Sequence, residues 1–105
     1  MEAGRLQHRV EIQKAIEIPD SFGEPLPTWV TQATRWAAVE PLSGRELFLA
    51  QQVQADVTHR VGLRFTPDVT PKMRVLFGER VLNIESVLDS TESGFELELL
   101  CKEEV

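Results

Sequence analysis

The chain has 105 residues, 42% of them hydrophobic and 27% charged, with a formal net charge of −6. A chain this long buries roughly two thirds of its unfolded surface, enough for one small domain over 1–105 and too little for separate cofactor and substrate domains. Its apolar runs stop at three or four residues, far short of the about 20 that a membrane-spanning helix needs, and no membrane partner is expected.

The first nine residues, Met1 to Arg9, contain no apolar h-region and no small-residue cleavage site, so they do not read as a secretory signal. The lone Cys101 cannot pair within the chain, which agrees with a reducing cytoplasm. Leu6, His8, Val10 and Ile12 alternate with Gln7, Arg9, Glu11 and Gln13, the period of a strand with one apolar face, and a first strand is expected over about 5–16. Pro19, Asp20, Gly23, Pro25 and Pro27 follow. Each breaks a ladder or fixes a turn, which predicts a long mobile loop. Thr28 to Thr31 resumes β-favouring residues, and Arg35 to Glu40 reads as a buried strand with Trp36 inside, stopping at Pro41.

Ser43-Gly44-Arg45-Glu46 fits a capping box that opens one short helix, ending near Gln54. Val57, His59, Val61, Leu63 and Phe65 alternate with polar residues in the clearest strand of the chain, and 66–71 is turn-rich. Met73, Val75 and Phe77 before Gly78-Glu79, with 81–87 after, predict a tight hairpin. A polar turn over Asp89 to Gly94 leads to a last strand through Phe95, Leu97, Leu99 and Cys101. The fold class is mainly β: a small six-stranded antiparallel β-barrel with one short helix and a long loop inserted.

Charge is uneven along the chain. From Asp89 onward, six acids face only Lys102, whereas Arg60, Arg64, Lys72, Arg74 and Arg80 outnumber Asp68 and Glu79 between His59 and Arg80. Such polarity favours head-to-tail association of like subunits. The general basicity that binds nucleic acid through counterion release is absent.

Little catalytic chemistry is on offer. His8 and His59 sit on apolar strand phases without a second His or Cys at zinc spacing, and Cys101 has no local base. The chain holds no nucleophile elbow, phosphate loop or recognisable carboxylate pair, so neither an enzyme nor a cofactor is expected. Trp29 and Trp36 could stack bases, but only Arg35 lies near them in sequence, which favours packing.

Taken in order, Gly4-Arg5-Leu6, Arg9 to Gln13, Asp20-x-x-Gly23, Trp29, Trp36-Ala37-Ala38-Val39, Ser43-Gly44-Arg45-Glu46, Ala50-Gln51, Thr58 to Val61, Leu63-Arg64-Phe65, Asn83-Ile84 and Leu99-Leu100-Cys101 resemble the phage head-tail joining family, known also as head-tail adaptor, head-closure or stopper proteins. The resemblance runs through nearly the whole chain and rests on order and spacing. It implies a small barrel that assembles below the portal or its adaptor as a homo-oligomeric ring, a dodecamer in the virion, which closes the filled head and presents a surface to a tail or tail-terminator protein. DNA would pass through the channel without specific binding. The protein would be a virion component, assembled in the host cytoplasm. The two insertions would line or close the channel or touch neighbouring rings, which makes Asp20, Phe22, Gly23, Glu24, Ser43, Arg45, Glu46, Phe48, Gln51 and Asp56 the candidate channel or interface residues. Asp20, Glu24 and Asp56 would supply acidity to the channel. The acidic Glu103-Glu104 end and Phe65, where a tyrosine is commoner, depart from the family pattern. Two other functions stay open: an SH3-like or OB-like module for a peptide or single-stranded nucleic acid, and a tail terminator.

Overall fold

In the computed structural model, which describes residues 7–88 and 96–104, the elements run β1 (His8–Pro19), β2 (Pro25–Pro41), α1 (Gly44–Val53), β3 (His59–Arg64), β4 (Arg74–Phe77), β5 (Arg80–Leu88) and β6 (Glu96–Glu103). All six strands pair antiparallel and close a barrel in the order β1-β2-β3-β6-β5-β4. The expected fold class is the observed one. The polar turn expected at Asp89 to Gly94, Phe95 of the last strand, and Arg5 and Leu6 of the first lie outside the described residues.

The inward-facing alternate positions build the core. Val10 and Ile12 of β1, Ala37 of β2, Val61 and Leu63 of β3, Val75 of β4, Leu82 and Ile84 of β5, and Leu97, Leu99 and Cys101 of β6 pack into one cluster with Met73. A smaller cluster of Leu42, Val57 and Leu100, covered in part by Leu47 and Ala50, seats α1 on the outside of the barrel. Leu100 therefore belongs to a second apolar surface rather than to a polar phase.

Residues 19–28 differ most from expectation. They form a hairpin, not a mobile loop. Lys14 to Pro19 pair in register with Val30 to Pro25, so β1 and β2 leave the barrel as a two-stranded arm, and the molecule measures 49 × 27 × 26 Å. Pro25 and Pro27 occupy alternate positions, which sends both missing N–H groups to the same outer edge of the ribbon, where a ladder does not need them. The turn is tied by Asp20, whose Oδ1 accepts from the backbone N–H of Phe22 at 2.8 Å and of Glu24 at 3.0 Å. Gly23 takes φ +82°, the left-handed conformation that glycine adopts without strain.

A bulge sets the facing of the arm. Ile12 pairs with Ala33 and Gln13 with Thr31, which leaves Gln32 as the extra residue on β2 and lets its side chain reach the carbonyls of Pro67 and Asp68. Beyond the bulge, Ile16, Ile18 and Leu26 continue the inward phase of β1 past the end of the core and are exposed.

Trp36 is the second correction. It is 51% exposed, because Ala37 takes the inward position and its neighbour must face out. Arg9, paired with it across the strands, lies 5.5 Å from the indole centroid. Trp36→Ala is therefore expected to cost about 1 kcal/mol, one exposed cation–π contact and partial burial, and Leu63→Ala about 2–5 kcal/mol. Urea melts of the two variants check this, and equal losses would contradict the assigned facing of β2.

Candidate functional site

The sequence candidates separate into two groups at opposite ends of the long β2 strand. Asp20, Phe22, Gly23 and Glu24 form the tip of the arm, where Phe22 is 89% exposed. Ser43, Arg45, Glu46, Phe48 and Gln51 lie at the start of α1 or along it, with Asp56 just beyond. The carboxylates of Asp20, Glu24 and Asp56 accordingly do not converge.

α1 has an inner and an outer side. Leu47 and Ala50 rest on the small cluster, and Gln51 Nε2 donates to the carbonyl of Val57 at 3.2 Å. Phe48, Leu49 and Val53 point away from the barrel, and no residue of the helix is fully buried. Ser43 is the N-cap, but its side chain makes no capping hydrogen bond, which corrects the capping box. Glu46 is engaged elsewhere: it pairs with Arg60 of β3, which also lies 3.7 Å from both Glu40 and Glu98. A guanidinium among three carboxylates offers Glu46 more than a backbone N–H does.

The uneven charge read along the chain is largely balanced within the fold. The acidic last strand lies beside the basic segment: Arg64 stands opposite Glu96 in the strand register, Arg60 reaches Glu98, and Arg80 holds Glu103 through two hydrogen bonds of 2.8 and 2.9 Å. Glu98 and Glu103 are thus drawn to basic residues of the same chain, while Glu104 stands exposed.

The tryptophans also have cationic partners that sequence distance conceals. Arg74 of β4 lies 4.2 Å from the centroid of the Trp29 ring, as Arg9 does over Trp36 at 5.5 Å. His8 is exposed rather than in the core, its ring edge-on to Phe77 at 4.8 Å.

His59 is half-buried beside Arg80 and Glu103. Its Nδ1 is 2.9 Å from Thr58 Oγ1, and its Nε2 is 3.7 Å from Glu103 Oε1. Burial holds the imidazole below its ordinary pKa; the Glu103 charge opposes that and Arg80 adds to it. The hydrogen bond from Arg80 holds the Glu103 carboxyl below its usual range. Burial pushes the Cys101 thiol up to about 12, too high for a thiolate nucleophile near neutral pH. Among the described residues no group of three His, Cys, Asp or Glu side chains could hold a metal ion.

Acidification should therefore destabilise the fold in two steps. The unfolded chain takes up a proton on His59 below about pH 6.5 that the folded chain resists, so stability falls as pH drops through that value. The stabilising charge of Glu103 is fully present above about pH 4.3 and is lost as pH falls through its lower folded pKa. Urea melts across pH are expected to lose the upper step in His59→Gln and the lower one in Glu103→Gln. A pH profile unchanged by either variant would contradict the assigned pairs.

Comparison with known proteins adds to this geometry. The profile of the family described as phage head completion protein matches residues 1–104. Head completion protein gp7 of Enterobacteria phage HK97 is 34% identical over 107 residues, 97% of this chain and 96% of that protein. Head completion protein gp16 of Bacillus phage SPP1 is 26% identical over 73 residues, 70% of this chain and 67% of that one. Among solved structures, the solution structure of protein SF1141 from Shigella flexneri 2a superposes with a TM-score of 0.81 at 32% identity, covering 100% of this chain and 98% of that one. A chain of the native gene transfer agent virion shares the fold, with a TM-score of 0.64 at 22% identity over 96% of both chains.

Proposed function

The chain belongs to the phage head completion protein family, and on that premise we propose that it is a structural part of a tailed phage or prophage particle that forms a ring below the portal or its adaptor, closes the DNA-filled head and offers the tail its attachment surface. The observation that carries this reading is the family match over 1–104 on a closed barrel whose large exposed apolar side chains include those of protruding elements, the arm and the helix. The apolar arm tip and the outer side of α1 are surfaces of the kind that partners cover. Neighbouring subunits, the portal or adaptor, and the tail protein are the partners this role requires. The role needs no cofactor.

Electrostatics support passage of DNA rather than its capture. The net charge is −6, and the two indoles that could stack on bases already carry Arg74 and Arg9 on the same chain. A wall of this kind repels phosphate and slows nothing that moves past it.

Filled heads made by the encoding phage without this chain are expected to leak DNA and to join no tails, and purified protein added back should restore plaque-forming particles. Heads that join tails equally well without it would overturn the reading. The free protein should show no binding to duplex or single-stranded DNA by fluorescence anisotropy at about 0.15 M salt, where exposed charges are screened beyond about 8 Å. Micromolar binding would favour a nucleic-acid-binding module instead.

A further inference from the structure

The arm and the helix are each an uncovered apolar surface, and they cannot cover one another within one chain. β2 begins in the arm at Pro25 and ends at Pro41, just before α1, so the length of the strand separates them. The arm presents Ile16, Ile18 and Leu26 on its inner face and Phe22 at its tip. The helix presents Phe48, Leu49 and Val53, the last 77% exposed. A two-stranded ribbon is marginal in water without an apolar partner.

Their charges are ordered in opposite senses. At the root of the arm, Lys14 and Lys72, with Asp68 as the one acid beside them, line an open groove of about 410 Å³. At its tip stand Asp20 and Glu24, with Glu17 nearby. The helix begins with Arg45 and the positive end of its dipole, the one acid of its first turn, Glu46, being held by Arg60; it ends with no basic residue in the last turn, and the acidic Asp56 follows. None of Lys14, Lys72, Arg45, Glu17, Glu24 or Asp56 has an ion-pair partner among the described residues. Laid N-terminus to tip, the helix would set Arg45 against the tip acids and its negative end against the two lysines. The lengths agree as well. Six strand residues from Lys14 to Pro19 span about 20 Å, and ten helical residues span about 15 Å.

We propose that α1 of a second copy lies along the inner face of the arm, its N-terminus toward the arm tip, so that each subunit grips the next. Resting on the reading of this chain as a ring-forming head component, the proposal names the contact that joins the subunits. The two surfaces are different patches on one chain, so the contact is heterologous, the type that closes into a ring when its rotation divides a full turn.

Heads lacking the chain, completed with a Leu26→Cys, Phe48→Cys double variant and oxidised, test this on a non-reducing gel. The native Cys101 is buried and stays protonated. The expected result is a ladder of dimers and higher species at least about tenfold above that of a Leu26→Cys, Glu79→Cys control, because a seated pair has a high effective concentration and a distant pair does not. Glu24→Arg or Arg45→Glu alone is expected to lower completion of heads severalfold, and the two together to restore it. Completed heads without a ladder, a ladder equal to the control, or a charge-reversed pair that restores nothing would overturn the contact while leaving the head-completion role standing. Failure of the parent protein to complete heads would overturn the role itself.

Discussion

Everything in this fold depends on a three-pair seam. The barrel closes where β1 meets β4 through Glu11 with Leu76, Ile12 with Val75 and Gln13 with Arg74. So short a ladder is weak by itself, and side chains on its outer surface reinforce it. Arg74 Nε donates to Gln13 Oε1 at 2.8 Å, Gln13 Nε2 to Thr31 Oγ1 at 3.4 Å, and the Thr31 hydroxyl to Glu11 Oε1 at 2.7 Å, while the Arg74 guanidinium covers Trp29. One relay thus joins β4, β1 and β2 across the closure, and Ile12 and Val75 are sealed beneath it. Without the seam, β1 would be the edge of an open sheet and the arm would have no fixed base.

The bulge at Gln32 belongs to the same device. By adding one residue to β2, it turns Thr31 outward to face Gln13 and Trp29 outward to meet Arg74. An uninterrupted register would have sent Thr31 and Trp29 to the other face, since a one-residue shift exchanges the two faces of a strand. The aromatic and polar surface of the closure and the apolar inner face of the arm are two results of one inserted residue.

Much of this architecture is legible in the sequence, and the failures share a cause. The alternation of Val61 and Leu63, of Leu97, Leu99 and Cys101, and the Gly78-Glu79 turn mark two strands and a hairpin, because each reflects a local rule. The helix is legible from its start and its length. The arm is not, because proline counts against a strand unless its missing donor faces out, and that depends on which edge is free in the assembled sheet. Trp36 misleads because a large apolar residue beside two alanines suggests a core, whereas the pleat alone decides that Ala37 goes in. The cationic partners of the tryptophans and the neutralised acids of β6 are likewise absent from local spacing. Arg74 and Trp29 meet only because the barrel closes. The ten candidate residues were legible as surface insertions, but not as two groups at opposite ends.

The prolines of the arm have one further consequence. Inside the barrel every strand has a neighbour on both sides, so the chain offers a foreign strand little to pair with. The arm alone runs free of the barrel along both flanks, with isoleucines and a leucine on one face, the composition that invites runaway strand-on-strand growth. Pro25 and Pro27 remove two donors from one flank, and Pro19 with Pro25 closes the ladder at the turn. Such a flank propagates no sheet. An arm blocked along its β2 flank keeps its apolar face exposed while leaving a foreign strand only the β1 flank to pair with.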